Sequence, residues 1–213
     1  MALVKSIVFV DGENLTMRYQ ALVKEGRRPC QGVVHCADVF VWSPRIGRPG
    51  IDTDIIRINY YTSMVGDEDA ITALKEVIAA QRFHGFQDYY GPCQLHPRVY
   101  KKPQKSTKSR LVDINITIDS MRHAYTGAVD VVHLFSGDGD FVELVEDIGR
   151  SGTRVCVAAF SSGLEPKLSV VADRFFLLDD LFFEAVPVPN QPDTSQAVVP
   201  AEAKNAAPQP SPS

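Results

Sequence analysis

Val129-Asp-Val-Val-His-Leu-Phe-Ser-Gly-Asp-Gly-Asp-Phe141 is the stretch on which the fold turns. Five of its first seven residues are apolar, and the segment Val129–Phe135 reads as the clearest strand in the chain. Ser136-Gly-Asp-Gly-Asp140 then breaks the run. Phe141, Leu144, Val145 and Ile148 follow at helical spacing, closed by Gly149. A buried strand, a turn and an amphipathic helix make up half of a parallel strand–helix–strand unit.

The same alternation recurs on both sides. Ser6–Val10 reads as a buried strand, broken by Gly12, with a helix over Asn14–Lys24. Ile55–Tyr61 reads as a second strand, and Glu68–Arg82 as a helix carrying Ile71, Leu74 and Ile78 at its spacing. Gln87–Tyr90 and Leu95–Tyr100 read as short strands. Asp113–Tyr125 reads as a helix with Ile114, Ile118, Met121 and Tyr125 on one face. Thr153–Ala159 and Arg174–Leu178 complete the strands. Repetition of this unit predicts a three-layer α/β/α fold around a mainly parallel sheet. Gly26–Thr53 is less regular and reads as an insertion. From Pro187 to Ser213 there are seven prolines and no aromatic residue, so the domain is expected over 1–186 and a disordered tail over 187–213.

Open parallel sheets bind ligands beyond the carboxyl ends of their strands. Asp11-Gly-Glu-Asn14 follows the first strand and Ser136-Gly-Asp-Gly-Asp140 follows Val129–Phe135, while Asp113 opens a helix with Asn115 nearby. Each Asp alone is explained by helix capping or turn formation. Their coincidence at one edge is different, because clustered carboxylates repel and hold protons unless a cation lies between them. Oxygen-only ligands select a hard ion such as Mg²⁺ or Mn²⁺. Asp119 lies about 120° around the helix from Asp113, so the two cannot both point straight into one small site. No phosphate-cradling GxxxxGK[ST] or GxGxxG follows a strand.

Net charge is −4, so the chain does not bind nucleic acid by bulk charge and any such site is local. Arg98–Arg110 supplies one, with Arg98, Lys101, Lys102, Lys105, Lys108 and Arg110 and no acid, directly before Asp113. Arg27, Arg28, Arg45 and Arg48 are candidates to extend it. Cys30, His35, Cys36, Cys93 and His96 show no CxxC pair and no usual zinc spacing. No secretory signal or 18-residue apolar stretch is present, which predicts a cytoplasmic protein with reduced thiols.

Phe9-Val-Asp-Gly-Glu-Asn-Leu15, Val112-Asp-Ile-Asn-Ile-Thr-Ile-Asp119 and Phe135-Ser-Gly-Asp-Gly-Asp-Phe141 occur in this order. Together they resemble the NYN domain, in particular its LabA-like bacterial branch, over about Lys5 to Leu178. The resemblance implies a PIN-like fold and metal-dependent ribonuclease activity. It implies that Asp11, Asn14, Asp113, Asp138 and Asp140 are the acidic and polar site residues, and it matches Asp119 to an acid of that family's helix. Ser136 enters as a supporting residue beside them. One departure is Arg110-Leu-Val-Asp113, where the family often shows Lys-Gly-Val-Asp. The leading expectation is thus hydrolysis of RNA with Mg²⁺ or Mn²⁺. One rival is a non-catalytic module that binds RNA or a protein partner, the tail being a candidate partner segment. Another is a small-molecule phosphatase, although Asp11-Gly-Glu13 lacks the DxD that this class often carries after its first strand.

Overall fold

The computed structural model describes residues 4–46, 53–83, 93–103 and 110–185. Six parallel strands form the centre of a seven-stranded sheet: β1 (Lys5–Asp11), β4 (Asp54–Met64), β6 (Cys93–Lys101), β7 (Val131–Phe135), β8 (Arg154–Ala159) and β9 (Arg174–Leu177). A two-residue strand, β5 (Arg82–Phe83), pairs antiparallel with β6 at one edge. The spatial order is β5-β6-β4-β1-β7-β8-β9. The chain builds outward from β1 in one direction through β4 and β6, then in the other through β7, β8 and β9. Strand β1 is therefore the topological switch point, and a crevice opens beyond its carboxyl end.

Helices cover both faces, as expected from strands with no polar side. On one face α1 (Gly12–Lys24), α2 (Glu68–Ala79) and α6 (Asp179–Phe182) pack on Val8 and Val10 through Leu15, Tyr19, Leu22, Leu74, Ile78 and Phe182. On the other face α3 (Arg110–Tyr125), α4 (Val142–Arg150) and α5 (Pro166–Val171) pack on Ile7 and Phe9. The three-layer architecture is the one the strand–helix alternation predicts.

Three details differ from the sequence reading. First, α3 does not bury the stripe Ile114, Ile118 and Tyr125, which are about half exposed; it buries Val112, Ile116, Ser120 and Ala124. Ser120 and Ala124 are small, which suits close approach to the sheet, and the Ser120 hydroxyl donates back to the Ile116 carbonyl. Second, the insertion is not only loop. It holds a hairpin, β2 (Val34–Cys36) and β3 (Phe40–Trp42), whose Phe40, Val41 and Trp42 enter the core beside Tyr60. Third, α2 ends at Ala79 and the chain turns at once into β5. The strand expected at Gln87–Tyr90 and the tail expected over 187–213 lie outside the described residues.

His133 lies in the middle of β7, flanked in register by Val8 and Cys156, and is 1% exposed. Neither ring nitrogen has a hydrogen-bond partner among the described residues. Burial lowers its pKa from 6.5 to about 4. Between those values the unfolded chain takes up a proton that the folded chain refuses, so stability is lost as pH falls through this window. His133→Phe should remove that contribution, on the order of 3 kcal/mol at most. Urea midpoints of both proteins between pH 7 and pH 4, about the span of these two values, should diverge in favour of the variant on acidification. Parallel curves would show that His133 does not govern the acid limb.

Candidate metal and phosphodiester site

Asp11 is the last residue of β1 and the N-cap of α1. Its Oδ1 accepts from the Asn14 backbone N–H at 3.0 Å, and its Oδ2 accepts from the Ser136 hydroxyl at 2.9 Å. The register explains that second contact. Val10 of β1 pairs with Phe135 of β7, so Asp11 and Ser136 leave adjacent strands side by side. The Ser136 oxygen also accepts from the Asp138 backbone N–H at 3.1 Å. The Asn14 side-chain oxygen accepts from Gly137 N–H at 3.1 Å. The two strand ends are thus tied together by one hydrogen-bond network.

Asp138 also serves as a cap: its Oδ1 accepts from the Asp140 backbone N–H at 3.1 Å, opening a 3₁₀ turn over Gly139–Phe141. Asp113 sits in the first turn of α3, on the opposite face of the sheet from α1. Even so, Asp11, Asn14, Asp113 and Asp138 all line one cavity of about 830 Å³ beyond the carboxyl ends of β1 and β7. Asp140 does not line it, and its backbone N–H donates to Asp138.

Asp119 lies elsewhere. It accepts from the Tyr61 hydroxyl at 2.7 Å and pairs with Arg122 at 2.8 Å. It buttresses β4 against α3 and does not line the cavity.

One acid of the wall, Glu13, is not among the site residues expected from sequence, and Lys102, expected in the basic segment, lies on the same wall. Glu13, on the first turn of α1, accepts from the Ser63 hydroxyl and pairs with Lys102 at 3.2 Å. Lys102 is therefore a cavity residue held by a carboxylate, not a free member of a basic stripe. Position alone could have flagged Glu13, because it lies two residues past a buried strand. Of the other basic candidates, Lys101 reaches Glu68 at 3.9 Å on the surface, Arg98 lies on β6 near Tyr61 and Tyr100, and Arg110 is the exposed first residue of α3. Arg27 pairs with Asp179 and stacks on Phe183, away from the cavity. Lys105, Lys108 and Arg48 lie outside the described residues.

The electrostatics centre on Asp11. Burial raises its pKa from 3.8 to about 7; hydrogen bonds from Asn14 and Ser136 oppose the shift, and the negative charges of Asp113 and Glu13 add to it. A divalent cation would reverse both the desolvation and the repulsion. The donors on this wall are all oxygens, which fits Mg²⁺ or Mn²⁺ better than zinc. Among the described residues, however, no three carboxylate, imidazole or thiolate groups already stand close enough to hold an ion. Asp11 and Asp138 are turned toward the N–H groups they cap, so a cation must compete with those bonds.

A family model of the NYN domain matches residues 5–179. The chain belongs to the NYN domain family. No curated protein matches it significantly. Among solved structures, this NYN domain is similar to a protein of unknown function from Vibrio parahaemolyticus, at 20% identity and a TM-score of 0.57, covering 85% of this chain and 97% of that one. That likeness shows the fold alone. A proposed oxidoreductase from Parabacteroides merdae aligns at 11% identity and a TM-score of 0.32 over 82% of this chain and 31% of that one, which carries no argument. No helix among the described residues is long and apolar enough to cross a membrane.

Proposed function

We propose that this NYN domain is a ribonuclease that hydrolyses RNA phosphodiester bonds with Mg²⁺ or Mn²⁺, and that its three motifs place it in the LabA-like branch. One observation carries the reading: a single cavity at the switch point gathers Asp11, Asn14, Asp113 and Asp138, with a buried carboxylate that stays protonated to near neutrality. Asp11, Asp113 and Asp138 would hold the cation, with the Asn14 oxygen beside them and Asp140 contributing from outside the wall. When bound, the cation supplies Lewis acidity and neutralises charge on the phosphodiester.

The protein's own groups do the rest. Ser136 fixes the orientation of Asp11 and ties it to the Asp138 backbone. Asn14 holds the Gly137 amide, so the β7 turn cannot drift from α1. Lys102 offers a positive charge on the wall, positioned by Glu13, where a polyanion would lie. The reaction is assigned to the cytoplasm, where Mg²⁺ and RNA coexist.

The testing experiment sets single-stranded RNA, single-stranded DNA and a phosphate monoester side by side, with Mg²⁺, Mn²⁺ or EDTA. Metal-dependent cleavage of RNA is the expected result. Turnover of the monoester alone would overturn the assignment in favour of a phosphatase. One observation favours a non-catalytic RNA-binding module, namely that Asp11 and Asp138 both act as caps and no three-ligand cluster is preformed. Binding of RNA without turnover in any metal would support that second reading.

The basic segment makes a separate prediction. Lys101→Ala, Lys105→Ala and Lys108→Ala combined should weaken RNA binding and reduce the salt slope of log K by roughly two, at about 0.7 per lost phosphate contact. Fluorescence anisotropy across a salt series measures it. An unchanged slope would show that these lysines make no phosphate contact. Lys102 is left out of this variant because removing it would strand the Glu13 carboxylate.

A further inference from the structure

The cavity wall extends beyond Asp11, Asp113 and Asp138. Met17 and Gln20 on α1, Asp38 and Val39 in the β2–β3 turn, and Met64 and Val65 at the end of β4 complete it. A divalent cation with six waters fills only on the order of 200 Å³. A volume of about 830 Å³ is instead that of a small-molecule site, for which roughly 300–1,000 Å³ is usual.

This end of the cavity combines apolar Met17, Val39, Met64 and Val65 with a polar Gln20–Asp38 pair. Met17, on α1, is 52% exposed and Val65, just past β4, is 41% exposed, and both line the cavity. Unpartnered aliphatic groups beside a charged site are surface that a ligand would cover. The hairpin turn that forms the far wall is pinned from both sides. Gln20 accepts from the Asp38 backbone N–H at 3.0 Å, donates to the Asp38 carboxylate at 3.2 Å and shares a hydrogen bond with His35 Nε2 at 3.2 Å. From β4, the Thr62 hydroxyl donates to the Val39 carbonyl at 2.7 Å. Asp38 itself stands at φ +64°, a conformation kept only because these bonds surround it. The wall is built before any ligand arrives, which lowers the ordering cost of binding.

We propose that the end of the cavity formed by Met17, Val39 and Val65 is a nucleobase subsite that selects an unpaired nucleotide next to the cleaved phosphate. The proposal rests on the ribonuclease reading for its substrate. A phosphodiester bridged by a cation to Asp11, Asp113 and Asp138 would carry its own base one sugar away, toward the rest of this wall. A flat ring with apolar faces and a polar edge matches thioether and aliphatic walls that end in the Gln20–Asp38 pair. Such a base must first leave its stack, so the subsite favours single strands over duplex.

The test reads binding in Ca²⁺, a hard cation that can bridge the phosphate to the carboxylates, and is scored separately from cleavage. A labelled single-stranded RNA of mixed sequence is compared with an abasic tetrahydrofuran phosphodiester of the same length and charge. Wild type should prefer the base-bearing chain roughly tenfold. Met17→Ser with Val65→Ser, both exposed and therefore tolerated by the fold, should bring the ratio close to one. Equal binding of both chains by wild type, or an undiminished ratio in the variant, would overturn the subsite. Because binding and not turnover is read, loss of the ratio in the variant supports the subsite even where cleavage assays fail, so the two readings fail separately.

Discussion

Asp11→Asn and Asp138→Asn are each expected to lower Mn²⁺- or Mg²⁺-dependent RNA cleavage by on the order of a thousandfold, about 4 kcal/mol of transition-state stabilisation, while the protein stays folded. The change is nearly isosteric, but a neutral amide oxygen is a poorer ligand for a hard ion than a carboxylate. The stability of the metal-free protein should move the other way for Asp11→Asn. Asp11 holds its proton in the folded state up to about pH 7 and in the unfolded state only to about 3.8. As pH rises through that window the folded state loses stability, because the unfolded chain releases this proton while the folded chain keeps it. The amide removes that cost and keeps the cap, since Asn caps a helix as well as Asp does. Melting in EDTA at mildly alkaline pH should therefore rise as activity disappears. A residue that only caps would leave both measurements unchanged, and full cleavage by both variants would favour the non-catalytic reading.

Gly12→Ala is expected to destabilise the protein by about 3 kcal/mol or more, against the helix propensity that favours Ala by about 1 kcal/mol. A Cβ built at position 12 would lie 2.3 Å from Tyr60 Cε1 and 2.7 Å from the Tyr61 carbonyl oxygen. Neither can yield cheaply. Tyr61 is backbone of β4, paired to Asp11 in the sheet. Tyr60 is fully buried, its hydroxyl bonds to Val41, and its ring meets Phe40 and Trp42 edge-on. The displacement would pass into the hairpin wall and the start of α1 together, so metal and RNA affinity should fall with the melting temperature. A variant as stable as wild type would mean that β1 and β4 are less tightly packed than this contact requires.

The central strands β1, β7 and β8 were legible because they are largely apolar and buried on both faces, whereas the edge strand β5 begins inside the stretch expected as helix. Strand ends also revealed Asp11 and Asp138, since the side of a parallel sheet that binds ligands follows from chain direction. What was not legible depended on distance in three dimensions. Helix α3 is apolar on two sides, and nothing in its spacing says that Val112 and Ile116, rather than Ile114 and Ile118, meet the sheet. The hairpin strands are three residues each, too short to show a period, although the aromatics of Phe40-Val-Trp42 marked burial. Lys102 was read with its neighbours as part of a charge run, because its partner Glu13 lies 89 residues earlier. Asp119 matched a motif position, yet its carboxylate is committed to Tyr61 and Arg122.

The most direct test of the central claim is an anomalous difference map from crystals soaked in Mn²⁺. The account predicts a peak in the cavity at the carboxyl ends of β1 and β7, with carboxylate oxygens of Asp11, Asp113 and Asp138 about 2.1 Å away, and with Asp138 turned from its cap toward the ion. A map with no peak there at saturating Mn²⁺, or with Asp113 directed away from the ion, would contradict it.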